Sequence, residues 1–350
     1  MLQQTTIDRS RPRAIALWLY LVAGLIVAMV VLGGITRLTE SGLSITEWKP
    51  ISGAIPPLNH AQWVAEFDNY KRIPQYQDYN RSMTLAGFKA IFFWEYLHRL
   101  VGRLIGTAFA VPLIWFAVKR QIPRGYGWRL CALLALGGLQ GALGWLMVRS
   151  GLSARTEVAP LWLAAHLLTA CFTLAGMVWT ALDLRARAGG YDAKPARLVP
   201  IATIALLLLF AQLLFGALTA GLRAGYAFAS WPLMGDSLFP SGVTMLEPAW
   251  RNAVDNPIVV QFIHRWFAFV AAAGLVALGL RAARAGARGP ALTVIALVCV
   301  QILLGISTLL SGVQIVVAVA HQLNAALTLI AAVIAAHALG RRAPILVPVS

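Results

Sequence analysis

Glu95-Tyr96-Leu97-His98-Arg99 puts a carboxylate, an imidazole and a guanidinium at the start of a long apolar run, 91–118. Ionisable groups are costly inside a bilayer, so a cluster of them there marks a functional site. Gln261-Phe262-Ile263-His264-Arg265 opens another apolar run in the same way, with an amide in place of the carboxylate. Two more histidines sit inside matching segments. Ala165-His166-Leu167-Leu168-Thr169-Ala170 pairs with Ala320-His321-Gln322-Leu323-Asn324-Ala325, and each continues to Thr-Leu (Thr173-Leu174, Thr328-Leu329). The remaining two differ. His60 falls in a connection and reads as a surface or loop-packing residue. His337 falls near the end of the last apolar run and reads as an interfacial packing residue.

The elements that must carry these residues follow from composition. Of 350 residues, 59% are hydrophobic and 12% charged, with a mean hydropathy of +0.73. A soluble domain is about one quarter charged, so the chain reads as a polytopic membrane protein. Eight runs reach the ~20 residues a spanning helix needs: 14–36, 91–118, 130–149, 159–182, 198–221, 258–281, 290–311 and 315–339. Cys131, Cys171 and Cys299 all lie in apolar runs, so neither a disulfide nor a CxxC metal site is expected. The N-terminal MLQQTTIDRSRPR runs straight into a full-length apolar segment, and no removable signal peptide is read there.

The net charge of +16 is a topology signal rather than a nucleic-acid footprint. Basic residues gather before run 1 (Arg9, Arg11, Arg13), between runs 2 and 3, and between runs 4 and 5 (Arg185, Arg187, Lys194, Arg197). They recur between runs 6 and 7 and in the tail (Arg341, Arg342). The acids on that side are Asp8, Asp183 and Asp192. The positive-inside rule makes this side cytoplasmic, with both termini inside. The opposite connections include two long ones, 40–89 and 222–256, whose Trp, Tyr and Pro content argues for ordered segments on the membrane surface.

The odd-numbered runs end alike, at Gly33-Gly34-Ile35-Thr36-Arg37, Gly141-Ala142-Leu143-Gly144, Gly216-Ala217-Leu218-Thr219 and Gly305-Ile306-Ser307-Thr308. Together with the paired histidines, this implies a duplication. The expected fold is an all-α integral membrane protein of eight transmembrane helices. They form two pseudo-symmetric four-helix bundles, 1–188 and 189–350, repeated in parallel sense.

His98, His166, His264 and His321 all lie on even-numbered helices, roughly 10 Å inside the outer end at 1.5 Å per residue. In a four-helix bundle, inward side chains on two such helices can face each other. Two imidazoles at matching depth suit the axial positions of a heme iron. The alternative for each is a hydrogen-bonded packing histidine. A zinc site fits less well, because each unit offers only two histidines. Gly102, one turn after His98, would let a macrocycle edge approach the helix, or would serve close helix packing. The glycines of the odd helices could do either. Arg37, Arg99, Arg103 and Arg265 lie at the outer membrane edge and could bind propionates in bidentate fashion, or simply snorkel.

Glu95 breaks the symmetry. It shares a helix face with His98, and its counterpart Gln261 cannot titrate. Only the first unit then has an acid/base group beside the iron-binding face, so chemistry is assigned to that unit and a held heme to the second. A carboxylate in an apolar pocket suits proton transfer or stabilisation of a developing cation. The alternative is an ion pair with Arg99 or a loop base.

These residues resemble the heme A synthase family. The resemblance is carried by Gly34-Ile35-Thr36-Arg37-Leu38-Thr39-Glu40-Ser41-Gly42-Leu43-Ser44, Thr46-Glu47-Trp48-Lys49-Pro50, Phe93-Trp94-Glu95-Tyr96-Leu97-His98-Arg99 and the single histidines of helices 4, 6 and 8. It covers nearly the whole chain. It implies conversion of heme O to heme A for cytochrome oxidase, by successive hydroxylations of one porphyrin methyl to a formyl group. By the same resemblance, His98 and His166 bind the substrate heme O, His264 and His321 bind heme b, and Glu95 matches the family's essential glutamate. Some bacterial members carry a cysteine pair in the outer loops. This chain has none there and is similar to the cysteine-free type of many Gram-negative bacteria and mitochondria. The implied setting is the inner membrane. The implied partners are lipid, an electron donor, heme O synthase, oxidase assembly factors and a second copy of the chain. The main alternative is a quinol-linked di-heme b-type electron carrier, which would use the same histidines without needing Glu95. A farnesyl transferase is disfavoured because the clustered aspartates it needs are absent. A heme transporter would leave its cargo unaltered in mass.

Overall fold

The computed structural model describes residues 9–189 and 195–342. Asp8, Asp192 and Lys194, used above to orient the chain, lie outside the described residues, as does the side chain of Arg342. Eight helices among the described residues are long and apolar enough to cross a membrane. They are α1 (Pro12–Leu38), α2 (Leu85–Val118), α3 (Gly127–Arg149), α4 (Pro160–Ala188), α5 (Pro200–Gly221), α6 (Pro257–Arg284), α7 (Arg288–Leu310) and α8 (Ile315–Arg342). No strand occurs among these residues, only an isolated bridge between Met234 and Ser237.

Local chemistry explains the helix starts. Proline opens α1, α4, α5 and α6, where its missing N–H would have had no intrahelical partner anyway. α2 begins six residues before the apolar run because the Thr84 side chain caps it, accepting from Gly87 N at 3.2 Å. The extra turns carry Phe88 out to meet two short loop helices, His60–Tyr70 and Pro74–Tyr79. There Leu43, Phe67, Tyr70, Ile73, Phe88 and Phe92 form a buried cluster. Fully burying such side chains contributes about 1.5–3 kcal/mol each, so the first long loop is a folded cap. Within it the fully buried Tyr70 hydroxyl donates to Gln75 at 3.0 Å and accepts from Asn80 at 2.8 Å. Burial pushes its pKa up to about 12, so it stays neutral at physiological pH.

The spanning helices form two rings. α1 packs on α2 and α4, and α3 packs on α4 and, more sparsely, on α2. In the second ring α5, α6, α7 and α8 follow one another and close back on α5. The rings join through α1–α8, α4–α5 and α4–α8. α8 is accordingly the most enclosed span and α3 the least. Its inner face is built on Ala326, Ala331, Ala332, Ala335 and Ala336. Lipid gives no hydrophobic drive for helices to pair, so small residues that let backbones approach supply the packing.

Equivalent positions meet where the rings join. Arg37 on α1 donates to the Ala220 carbonyl on α5 at 2.9 Å, and Arg223 pairs with Glu40; each pair is 183 residues apart. A position that contacts its own repeat partner is what a two-fold relation between units produces. Glu157 joins this contact, binding Arg37 at 2.9 Å and also pairing with Arg223. At the opposite end, Asp183 of α4 is fully buried and accepts from Arg129 of α3 at 2.7 Å, His337 of α8 at 2.9 Å and Ala196 N at 2.9 Å. His337, expected to be an interfacial packing residue, is instead buried in this junction beside Trp179.

Candidate functional site

Each of the four histidines sits against a glycine of the preceding helix. A Cβ added at Gly33 would lie 3.3 Å from His98 Cε1, and at Gly144 3.0 Å from His166 Cε1. The same construction gives 3.1 Å for Gly216 and His264, and 3.0 Å for Gly305 and His321. The glycines therefore make room for imidazole rings, where the sequence left a macrocycle edge or plain helix packing open. Gly141 has nothing within 4 Å, and Gly102 faces only the Met29 methyl, at 3.6 Å from an added Cβ. Gly34 faces Gln322 of α8, whose amide reaches across to the Val30 carbonyl at 3.1 Å.

His98 lies within Coulombic reach of His166, and His264 within reach of His321. Each ring thus holds one pair, on its second and fourth helices. Among the described residues no group of three His, Cys, Asp or Glu side chains could hold a metal ion. Two imidazoles per unit lack the third protein ligand a zinc site needs, but they match the axial demand of a heme.

The rings are anchored unequally. Gln212 Nε2 lies 3.0 Å from His264 Nδ1 and donates to the His264 carbonyl at 3.0 Å. Gln301 Nε2 lies 3.2 Å from His321 Nδ1 and donates to the His321 carbonyl at 3.2 Å, while its own oxygen accepts from Asn324 at 2.6 Å. Gln140 reaches only the carbonyl of His166, at 2.9 Å. The Nδ1 atoms of His98 and His166 are buried without a hydrogen-bond partner. Residue type alone does not single out these glutamines. Their signal was present as Gln-x-x-x-Gly on α3, α5 and α7, four residues ahead of Gly144, Gly216 and Gly305.

Glu95 does not occupy the apolar pocket expected for it. It is 3% exposed, yet both carboxylate oxygens are engaged. One accepts from Ser44 Oγ at 2.7 Å and Ile45 N at 2.8 Å, the other from Arg99 at 2.6 and 3.1 Å. The Arg99 ion pair named as the alternative is the one present. Arg99 also donates to the carbonyls of Ile45 at 2.7 Å and Glu47 at 3.1 Å. Arg103 follows with Pro50 at 2.8 Å and Lys49 at 2.9 Å, and Tyr96 with Ala54 at 2.8 Å. The segment 45–54 is thereby laced along the outer part of α2.

The second unit repeats the lacing with different charge. Gln261, 1% exposed, donates to the Phe228 carbonyl at 3.1 Å. Arg265 donates to Phe228 at 2.9 Å and Ser230 at 2.8 Å. Arg265 has no carboxylate on it, whereas Arg99 is neutralised by Glu95. Arg99, Arg103 and Arg265 thus spend most of their donor nitrogens on loop carbonyls or on Glu95, and Arg37 spends Nη2 on Glu157 and the Ala220 carbonyl of α5. Of these arginines' nitrogens, three are buried without a partner: Arg37 Nε, Arg103 Nη1 and Arg265 Nε. Buried donors without partners are costly, and an anion at the site would satisfy them. The residues present therefore fit a heme: two imidazoles per ring for its iron, and buried guanidinium nitrogens for its carboxylates. His60 is exposed at the start of its loop helix.

The chain is similar to known proteins over nearly its whole length. A family model described as COX15-CtaA, cytochrome oxidase assembly protein, matches residues 16–333. A protein of Rhizorhabdus wittichii named heme A synthase is 57% identical, covering 95% of each chain. Proteins of the same name from Sphingopyxis alaskensis and Novosphingobium aromaticivorans are 55% and 50% identical. The first covers 96% of this chain and 94% of its own, the second 95% and 97%.

Proposed function

The chain belongs to the heme A synthase family, and from that premise we propose how its residues divide the work. The protein is a multi-pass membrane oxidoreductase that converts heme O to heme A, a step in the assembly of cytochrome oxidase. The reaction takes a porphyrin methyl through hydroxymethyl to formyl. The first stage adds an oxygen atom, each stage removes two electrons from the carbon, and both the oxygen and the electron acceptor come from outside the chain.

In this reading His98 and His166 hold the iron of the substrate heme O in the first ring. His264 and His321 hold a resident heme b in the second. Bound there, heme b supplies one-electron transfer. The observation that carries the division is the pair Glu95 and Gln261: equivalent positions beside equivalent histidines, of which only one is a carboxylate. Glu95 keeps a Ser44 hydroxyl proton and a guanidinium in contact at the rim of the first site, where proton transfer accompanies oxidation of the methyl. Arg99 and Arg103 hold segment 45–54 over that rim and limit water entry. In the second ring the uncompensated Arg265 is the partner for a heme b carboxylate. Both termini face the cytoplasm across the bacterial inner membrane, because the short connections at that end carry the excess of Lys and Arg.

The histidine assignment is tested by extracting pigment from single alanine variants. His264→Ala and His321→Ala should lose heme b. His98→Ala and His166→Ala should keep heme b and lose bound heme O. Loss of the same heme from all four variants would contradict the division. Reporter fusions to the two termini test the orientation; an externally active reporter at either end would overturn it.

A further inference from the structure

Along one face of α2, Gly102 and Gly106 follow His98 at one-turn spacing. Along α3, Gly141 and Gly137 precede Gly144, which abuts His166, on one face. α2 and α3 run in opposite senses, so these four glycines lie at matching depth, between the histidines and the middle of the membrane. An added Cβ at Gly106, Gly137 or Gly141 would meet nothing within 4 Å, and at Gly102 only the Met29 methyl. All four carry exposed surface. His98 to Gly106 is about 12 Å at 1.5 Å per residue. One turn further in, Phe109 and Leu133 are buried in the core and close the space. The second ring is lined differently. With the repeat aligned on His98–His264 and Gly144–Gly305, the counterparts are Ala268, Ala272, Ile302 and Val298. Val298 is buried and the others are half-buried. α6 also packs closely on α7, where α2 touches α3 sparsely.

The two rings thus hold equivalent histidines beside unequal space. The first lacks the two methyls, the isopropyl and the sec-butyl group that fill the second. Small residues in membrane helices ordinarily serve close packing, but here the two helices that carry them stand apart. The hemes assigned to the two rings differ in the same sense: heme O carries a long isoprenoid tail where heme b has a vinyl group. Resting on the reading that the first ring holds heme O, we infer that Gly102, Gly106, Gly137 and Gly141 line the groove for that tail and decide which heme each ring takes. Lipid is as apolar as the tail, so the groove gains little hydrophobic attraction for it. It acts by leaving room. The second ring rejects heme O by filling the same space with Ala268, Ala272, Ile302 and Val298.

The test fills the groove of the full-length protein with the second ring's own side chains. Wild type and the double variant Gly137→Val, Gly141→Ile are purified from a host without heme O synthase, so that heme b occupies the second ring. Heme O, or further heme b as the tail-less probe, is then titrated in and followed by absorbance and pigment extraction. The double variant should keep its resident heme b and bind added heme O roughly 10–100-fold more weakly than wild type, as overpacking a fitted site does. Added heme b should bind the two proteins alike. Wild-type affinity for heme O in the double variant would put the tail in lipid and overturn the proposal. Equal weakening for both hemes would mean that the space holds the macrocycle, and would overturn it too. If the double variant loses its resident heme b, Gly141→Val alone goes through the same comparison and is judged by the same outcomes. Failure of wild type to bind heme O, with heme b in place, would sink the underlying reading instead of the groove.

Discussion

Ser44 donates its hydroxyl to Glu95 at 2.7 Å, and neither residue is more than marginally exposed. The contact ties the first long loop to the helix that carries His98. It also means that Glu95 has two tasks which substitution can separate. Glu95→Gln copies the residue of the second unit and keeps the size. It should retain heme b while losing heme A formation, and should lower the melting temperature because Arg99 loses its buried carboxylate partner. Ser44→Ala removes one hydrogen bond to a charged group, worth about 1.5–3 kcal/mol, and should lower thermal stability while leaving measurable activity. Product analysis beside a melting curve checks both. Full activity in Glu95→Gln would reduce Glu95 to a loop strut.

The glycine and histidine pairs predict a graded response. At Gly216 or Gly305 an alanine Cβ falls 3.0–3.1 Å from an imidazole carbon, so the ring must shift by a few tenths of an ångström. Valine there should push the ring out of place and empty the heme b site. Gly141→Val should be tolerated, because nothing lies within 4 Å of an added Cβ. Heme b per protein, read from the absorbance of purified variants, checks this. Equal loss at Gly141 and Gly305 would mean that the glycines serve the helices and not the rings.

At the junction of the rings, Asp183 is the shared acceptor for Arg129 and His337. Removing one member of a buried ionic group leaves the others uncompensated, at about 3–5 kcal/mol. Asp183→Asn should therefore lower the melting temperature sharply. The protein that remains folded should keep both hemes, since no histidine of either pair touches Asp183. Loss of one heme alone would link this cluster to a site.

The contact between the rings at the other end is more exposed, and partly exposed ion pairs are worth about 0–1 kcal/mol. Glu40→Ala, which loses only the Arg223 pair, should change the melting temperature little. Glu157→Ala frees both Arg37 and Arg223 and should cost more. A large effect of Glu40→Ala in a double-mutant comparison with Arg223→Ala would contradict this ranking.

Membrane helices, the duplicated histidines and the Glu95–Gln261 difference were legible in the sequence because each shows as residue type at a fixed spacing. Helix limits were legible to within a turn, except that side-chain capping by Thr84 starts α2 six residues ahead of its apolar run and α4 continues six residues past its own, to Ala188. Two features were harder to read. An apolar pocket was expected for Glu95 because it opens an apolar run; Ser44 and Ile45 come from a loop some fifty positions away, and only folding brings them to the carboxylate. The glutamine tethers were visible as Gln-x-x-x-Gly, but a glutamine facing a glycine means little until the histidine between the two helices is placed. His337 read as a packing residue because its partner Asp183 lies 154 residues earlier.

The product is the most direct test of the function. The full-length protein is made in a host that synthesises heme O but lacks its own heme A synthase, and the extracted pigments are separated and weighed by mass spectrometry. Heme b together with heme A, and hydroxymethyl heme O as the intermediate, is the predicted result. Heme b and unaltered heme O alone, in a wild-type protein with all four histidines intact, would contradict it.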